Sequence, residues 1–527
     1  MAAVEAGDAG AVDVAHSLVT GRAALEERAV VVGASRDELL TALTSLTDGE
    51  ATPALVRGTT QRVGEDIDTV FVFPGQGAQW VGMAVELLDS STVFAARFGE
   101  CAVALDGFVE WSLMDVVRGV EGAPGLDRVD VVQPVLWAVM VSLAALWESF
   151  GVRPSAVVGH SQGEIAAAVV AGALSLQDGA RVAALRSRAI TALAGHGGMV
   201  SVALSRERAE ELISGWGGRI SVAAVNGPTS VVVSGDADAL DELVEQAGAR
   251  DVRVRRVEVD YASHSSHVEL IREELLEVLA PVVAREPEVP FFSTVTGGWL
   301  ESAVTDGAYW YTNLRQTVQL ESAVRELIAS GHGAFLEMSP HPVLTVPVAE
   351  TVEAASSEVV VTGTLRRGQG GLARFYTSLG EAWTRGVTVD WGQAFAEQQP
   401  RRVELPTYAF QRQRYWLDAP ELAGPFTGPV VFGGVDLADD GFWESVEDGD
   451  VESLAQTLGL DDQESLGAIV PALSSWRRGR ASVPPSTAGA TASSGGRSPN
   501  RARPSPSTAP GSSSSPRDRR TATSCAA

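Results

Sequence analysis

Gly159-His160-Ser161-Gln162-Gly163 sets a serine between two glycines, and the residues on either side decide whether that serine can do chemistry. Residues 152–158 read as a short buried strand, and residues 165–172 carry Ala, Val and Ile at helical spacing. Strand, Gly-x-Ser-x-Gly, helix is the setting in which a tight turn lifts a serine hydroxyl above the end of a parallel sheet. The free N–H groups of the following helix then face any developing oxyanion. A serine hydroxyl attacks only when a base takes its proton, and histidine is the usual base. The chain has seven: His16, His160, His196, His264, His267, His332 and His341. His160 adjoins the serine, so its side chain is expected to point away. His264, in the polar run Asp260-Tyr261-Ala262-Ser263-His264, is the better base, with His267 its local rival. No Asp or Glu stands out as a third member, so a triad and a dyad with a backbone carbonyl orienting the imidazole both stay open. Gly75-Gln76-Gly77 follows a strand, and its glycines suit a backbone that closely approaches a ligand. A guanidinium near such a cleft would grip a substrate carboxylate bidentately. Arg186 is a candidate, but Arg181 and Arg188 share its helical run and residue type alone does not separate the three.

The elements that must position these groups alternate between strand and helix. Residues 1–67 read as a helix around 23–28, a strand at 29–33 and a helix at 35–46, too little to hold a core alone. A strand at 69–73 leads into Gln76, amphipathic helices fill 81–150, and the serine turn comes next. From Met199 the pattern becomes strand 199–204, helix 206–214, strands 220–226 and 230–234, helix 237–247 and strand 252–259. This βαββαβ order is ferredoxin-like. It returns the chain at His264, so an insertion over 198–262 hangs one wall of a cleft over the serine, where ligands usually sit. Helices resume to 279, and strands are expected at 289–293, 309–314 and 334–338. A strand after 359, a helix at 372–385 and an aromatic ribbon at 405–416 follow, the ribbon expected to run back over the main domain. Helices are expected at 451–458 and 466–476, and the Ser/Pro/Arg-rich stretch beyond 480 is disordered by composition. The fold class is α/β: a hydrolase-like large subdomain with a parallel sheet, an inserted ferredoxin-like small subdomain and flanking α/β linker regions.

Composition narrows the function. The chain has 527 residues, 45% of them apolar, enough for several domains with sizeable cores. A net charge of −27 argues against a nucleic-acid partner. All 40 basic residues are arginine, as in proteins of GC-rich genomes. Cys101 and Cys525 lie too far apart to suggest a disulfide framework or a thiolate metal site, so no metal is expected. The N-terminus lacks the basic and apolar regions of a signal peptide. The most apolar run, 131–147, holds Gln133 and Pro134 and falls short of a bilayer span, so it is expected as a buried helix. The expectation is a cytoplasmic protein with no membrane partner.

Phe73-Pro74-Gly75-Gln76-Gly77, Gly159-His160-Ser161-Gln162-Gly163-Glu164 and Tyr261-Ala262-Ser263-His264, in this order, resemble the acyltransferase domain of modular type I polyketide synthases. That domain is related to the malonyl-CoA:acyl-carrier-protein transacylases, and the resemblance runs from about residue 12 to 476. It implies the end of a ketosynthase-to-acyltransferase linker at 1–67, an acyltransferase domain at 68–350 and a post-acyltransferase linker at 351–417. It further implies the start of a ketoreductase structural region at 418–478, followed by a disordered tail at 479–527. Ser161 then matches the nucleophile, His264 the general base and Arg186 the residue that grips the carboxylate of the acyl group. Backbone N–H groups of Gln76 and Gln162 match the oxyanion hole, and Asn313 the residue whose carbonyl orients His264. Tyr261, Ala262 and Ser263, with Gln162 and the run Arg128-Val129-Asp130-Val131-Val132-Gln133, resemble the methylmalonyl-selecting pattern, whereas malonyl-selecting relatives carry His-Ala-Phe-His. Serine in place of phenylalanine leaves room for a methyl group, a difference of about 1–3 kcal/mol. The resemblance implies acyl-CoA as substrate and no bound cofactor, with phosphopantetheine carried by a partner acyl carrier protein. Methylmalonyl-CoA, that carrier and neighbouring polyketide synthase domains are the implied partners.

Three other readings compete: a serine hydrolase or thioesterase, a non-catalytic docking piece, and a malonyl-selective transferase. No ketosynthase cysteine motif, nucleotide-binding glycine loop or carrier Gly-x-Asp-Ser-Leu occurs, so a single-activity fragment or truncated module is expected. The tail beyond 480 does not continue the family pattern and reads as an out-of-frame stretch.

Overall fold

A computed structural model describes residues 10–406, 440–458, 466–467 and 469–475, which fall into two compact units, Met1–Phe410 and Gln411–Ala527. The first unit is built on a six-stranded sheet. Its order is Gly298–Trp299, Phe291–Ser293, Ala156–Gly159, Thr69–Phe73, Ala334–Glu337 and Val360–Gly363. All neighbours are parallel except Gly298–Trp299, which pairs antiparallel at one edge. A parallel strand covered by helices must be apolar on both faces, and Thr69–Phe73 is buried at every position. Side chains alternate between the faces. Phe71 and Phe73 enter the larger core with the helix Val129–Ser149, and Val70 and Val72 enter the smaller core with Leu320, Val324 and Val348.

Val129–Ser149 is long and apolar enough to cross a membrane, yet 83% of that window is buried inside the protein. Trp137 and Trp147 are fully enclosed, and Trp147 donates its indole N–H to Thr364 Oγ1 at 2.9 Å. The run expected as a buried helix is therefore the central helix of the core, and Gln133 lies buried within it.

The small subdomain follows the expected βαββαβ order. Ile220–Gly227, Ser230–Asp236, Gly197–Val202 and Val254–Arg256 form an antiparallel sheet in that spatial order, with helices Arg206–Ile213 and Ala237–Ala249 as the crossovers. A fifth strand, Val318–Gln319, comes from outside the insertion and pairs parallel with Ile220–Gly227. Thr317 Oγ1 also donates to the Val222 carbonyl at 2.7 Å, so the open edge is covered and tied to the large subdomain.

Two expectations are corrected. The strand expected at 309–314 is part of the helix Gly307–Arg315, started by the Asp306 side chain accepting from the Tyr309 N–H. Its aromatic residues favour strands in isolation, but Tyr309 and Trp310 are buried on one helical face and packing overrides the preference. The helix expected around 23–28 lies earlier, at Ala11–Gly21, and Glu27–Val31 is a strand paired antiparallel with Leu55–Thr59. Residues 401–403 run along this N-terminal helix, with the Val403 N–H donating to Ser17 Oγ at 2.9 Å; the ribbon expected at 405–416 lies outside the described residues from residue 407 on. In the second unit, Asp440–Asp448 and Val451–Leu458 pack Val446 and Leu454 against Val470. The tail beyond residue 475 lies outside the described residues.

The glycines around Ser161 are required by close approach. A Cβ on Gly163 would sit 2.1 Å from the Phe73 carbonyl oxygen, and one on Gly159 would sit 2.4 Å from the Glu164 Cα. Strand and helix touch through backbone there, with no side chain able to yield. Gly163→Ala is therefore expected to lower the melting temperature sharply or abolish soluble expression. Gly99→Ala serves as the control: that helical glycine has open space where a Cβ would be and should gain roughly 0.5–1 kcal/mol. Equal melting temperatures for the two variants would refute the close-approach argument.

Candidate active site

The turn that follows Ala156–Gly159 holds Ser161 at φ +54°, a left-handed conformation that a non-glycine residue adopts only under constraint. Its neighbours supply the constraint: the Gly163 N–H donates to the His160 carbonyl and the Glu164 N–H to the Ser161 carbonyl, opening the helix Gly163–Val170. His264 is also left-handed, at φ +61°. Ser161 Oγ and His264 Nε2 are 2.8 Å apart. On the far side of the ring, His264 Nδ1 donates to the Gln316 carbonyl at 2.7 Å, and the His264 N–H donates to the Leu314 carbonyl at 2.9 Å. With the proton on Nδ1, Nε2 is left as the acceptor for the serine hydroxyl. Burial pushes the His264 pKa down to about 3, helped by the Arg186 charge and opposed by the Gln316 bond. The imidazole is thus neutral and able to take a proton. Of the two open arrangements, the dyad with a backbone carbonyl is the one present.

The residue expected to orient His264 was Asn313, and this is corrected to Gln316. The physical reason is helical: Gln316 caps the end of Gly307–Arg315, where carbonyls run out of intrahelical N–H partners and are free to accept from elsewhere. Asn313 lies further inside the same helix and faces a different neighbour.

That neighbour is Arg186. The guanidinium is buried at 1% exposure on the helix Leu176–Ile190, donating from one terminal nitrogen to Gln133 Oε1 at 3.1 Å and from the other to Asn313 Oδ1 at 3.0 Å. Both acceptors are neutral amides. Arg186 Nε is buried with no partner. Burial pulls the pKa down to about 10, so the group stays charged at neutral pH. Its two rivals are accounted for otherwise, with Arg181 stacked 4.7 Å over the Phe108 ring and Arg188 exposed. A buried cation with an idle donor is built to receive an anion.

Gln76 and Gln162, the residues expected to supply an oxyanion hole, each lie just beyond a strand of the central sheet. Gln162 precedes the first residue of the helix Gly163–Val170, and Gln76 follows the strand Thr69–Phe73. Neither backbone N–H has a backbone acceptor among the described residues. The Tyr261 hydroxyl donates to Gln76 Oε1 at 2.9 Å and anchors that loop. Burial pushes the Tyr261 pKa up to about 12, which keeps the hydroxyl protonated. Ala262 and Ser263 are buried in the same turn, with the Ala262 Cβ directed to the small subdomain, where a Cβ on Gly197 would approach it to 2.8 Å.

The other histidines serve as ties. His160 turns away from Ser161, as expected, and its Nε2 meets Asn226 Oδ1 of the small subdomain at 2.8 Å. His267 Nε2 meets Asp236 Oδ1 at 2.7 Å, which removes it as a rival base. Glu164, Thr294 and Tyr309 were missed as site residues. Glu164 is fully buried, and its carboxylate accepts from the Thr294 N–H and hydroxyl, the Tyr309 hydroxyl and Asn313 Nδ2. Burial pushes its pKa up while those donors oppose the shift. Glu164 lay in the serine motif, but only the fold brings its partners to it.

Comparison with known proteins places the chain in a family. Residues 70–389 match the family described as acyl transferase domain, and residues 439–482 match the polyketide synthase dimerisation element domain. The second match overlaps the stretch at 418–478 that the sequence resemblance assigned to a reductive region, runs on into the expected tail, and carries a different description. Polyketide synthase GfsA of Streptomyces halstedii is 55% identical over 478 residues, covering 89% of this chain and 6% of that protein. Pikromycin polyketide synthase component PikAIII of Streptomyces venezuelae is 53% identical over 406 residues, covering 77% of this chain and 25% of that protein. The chain thus spans only a small part of these relatives. Among solved structures, the acyltransferase domain from module 8 of the salinomycin polyketide synthase aligns with TM-score 0.71 and 56% identity, over 74% of this chain and 93% of that one. The malonyl CoA-acyl carrier protein transacylase from Coxiella burnetii, at 23% identity and TM-score 0.54 over 60% of this chain and 98% of that one, shares the fold. This chain belongs to the acyl transferase domain family, in the form found in modular type I polyketide synthases.

Proposed function

We propose that this chain moves a methylmalonyl group from CoA to the phosphopantetheine thiol of an acyl carrier protein, through an ester on Ser161. The observation that carries the reading is Arg186, a buried guanidinium with neutral partners and an idle Nε, joined through Asn313 to the carbonyl of Ser161, which itself pairs with His264. Its natural complement is the free carboxylate of the acyl group.

The proposed steps are these. Ser161 Oγ attacks the thioester carbonyl as His264 Nε2 takes the hydroxyl proton. The oxyanion of the tetrahedral intermediate is received by the backbone N–H groups of Gln76 and Gln162. As the C–S bond breaks, the proton on His264 goes to the departing CoA sulfur, leaving the acyl ester on Ser161. The carrier thiol then gives its proton to His264 and attacks the ester. Collapse returns the proton to Ser161 Oγ and releases the acylated carrier. Gln316 holds the imidazole in the required tautomer throughout.

Choice of methylmalonyl over malonyl is supported by Tyr261-Ala262-Ser263, where a small serine leaves space beside the carboxylate. It is also supported by a relative at 28% identity and TM-score 0.65, the acyl transferase domain of SpnD, whose structure is described as a complex with 2-(pent-4-yn-1-yl)malonyl. That group is a malonyl unit substituted at its central carbon. Transfer to a carrier is favoured over hydrolysis by the match to the acyl transferase domain family and to polyketide synthases.

Intact-protein mass measurement after incubation with equal malonyl-CoA, methylmalonyl-CoA and propionyl-CoA tests the reading. The methylmalonyl ester should dominate and vanish in Ser161→Ala. Arg186→Ala should cut its formation about 10- to 100-fold, the worth of a charge-assisted pair. A dominant malonyl ester would contradict the methyl selection, and release to water outpacing release to a carrier thiol would contradict transfer.

The state of His264 gives a second expectation. Its folded pKa lies below the unfolded value of 6.5, so the unfolded chain binds the extra proton, and stability is lost as pH falls from about 6.5 toward 3. The loss should be about 1 kcal/mol over the first unit below the unfolded pKa. Urea midpoints at neutral and mildly acid pH should therefore converge in His264→Gln relative to wild type, and an unchanged difference would contradict the buried neutral imidazole.

A further inference from the structure

Asn313 uses both amide donors and its oxygen. Nδ2 donates to the Ser161 carbonyl at 3.1 Å and to Glu164 Oε2 at 3.0 Å, while Oδ1 accepts from Arg186 at 3.0 Å. The orientation is forced, because Arg186 only donates and the other two partners only accept. Glu164, three residues beyond the nucleophile, accepts from the Thr294 N–H at 2.6 Å, the Thr294 hydroxyl at 2.7 Å and the Tyr309 hydroxyl at 2.7 Å. The Thr294 hydroxyl is also 2.9 Å from the Gly159 carbonyl. Through the Asn313 amide, one buried carboxylate is thereby linked to both the Ser161 carbonyl and the guanidinium.

We infer that Glu164 and Asn313 are positioning residues that lock Arg186 at a fixed distance from Ser161, and so make acylation depend on the acyl group's carboxylate. The inference rests on the reading of Arg186 given above. A carboxylated acyl group is held at one end by the guanidinium and attacked at the other by Ser161 Oγ. Its reacting carbonyl is therefore only as well placed as those two groups are relative to each other, and a displacement of roughly 1 Å costs on the order of a hundredfold in rate. A neutral acyl group of the same size makes no use of Arg186 and gains nothing from the lock. Loss of the lock should therefore slow the carboxylated substrate selectively, whereas a general loss of structure would slow both.

Methylmalonyl-CoA and propionyl-CoA differ by the carboxylate alone, and the readout is the ratio of their rates of Ser161 acylation. Asn313→Leu removes all three bonds at near-constant volume. Glu164→Gln keeps the shape but sets an NH₂ against Asn313 Nδ2, which breaks that bond and pushes the amide away while Ser161 and Arg186 still fix which way it faces. In either variant the ratio of the methylmalonyl rate to the propionyl rate should fall by about 10- to 100-fold. If only one variant folds, as judged by its melting temperature, that one decides. Equal losses on the two substrates, or no loss on either, would overturn the lock. Arg186→Ala in the same series separates the two claims. If it abolishes the preference while Asn313→Leu and Glu164→Gln retain it, the lock is wrong and the carboxylate site stands. If Arg186→Ala retains the preference, the carboxylate site itself is wrong.

Discussion

The structure is arranged around a positive charge held away from water with no carboxylate touching it. Isolated burial of a cation is costly, and proteins ordinarily pair it directly with an acid. Here the Arg186 guanidinium meets two neutral amides, Gln133 and Asn313, and the nearest acid in its network, Glu164, stands one amide further away. This explains a feature of the central helix that packing alone does not. Val129–Ser149 is apolar along most of its length, yet it carries Gln133 at a fully packed position because the guanidinium needs an acceptor there. Three helices, Val129–Ser149, Leu176–Ile190 and Gly307–Arg315, each contribute one member of the cluster.

The nucleophile depends on the same cluster. Ser161 is held in a left-handed turn whose carbonyl is bonded by Asn313, and the glycines at 159 and 163 allow strand and helix backbones to meet. His264 reaches Ser161 from the end of the inserted subdomain, also left-handed, and is pinned twice to the end of Gly307–Arg315. The small subdomain is tied back through His160 to Asn226 and through the added strand Val318–Gln319. One helix end therefore supports the base, the guanidinium and the nucleophile's carbonyl together.

How much of this was legible in the sequence depended on whether a role belongs to a side chain or to a place. Ser161 and its glycines could be read because a tight turn at the end of a strand demands those residue types. The ferredoxin-like insertion was readable from its order of short strands and helices. Arg186 could not be separated from Arg181 and Arg188 by residue type; only family resemblance singled it out. The carbonyl that orients His264 has no residue identity at all, since any amino acid supplies one, and the expectation fell on Asn313, three positions before Gln316. Glu164 stood in plain view beside the serine, but its importance lies in Thr294, Tyr309 and Asn313, more than a hundred residues later in the chain. The helix Gly307–Arg315 was misread as extended because its buried aromatic face mimics strand composition.

The most direct test of the central claim is a crystal structure of the chain after exposure to methylmalonyl-CoA. The account predicts an ester on Ser161 whose carboxylate lies within hydrogen-bond distance of Arg186 Nε, with Gln133 and Asn313 still holding the terminal nitrogens. An acyl group on Ser161 whose carboxylate points to solvent, leaving Nε unpaired, would contradict it.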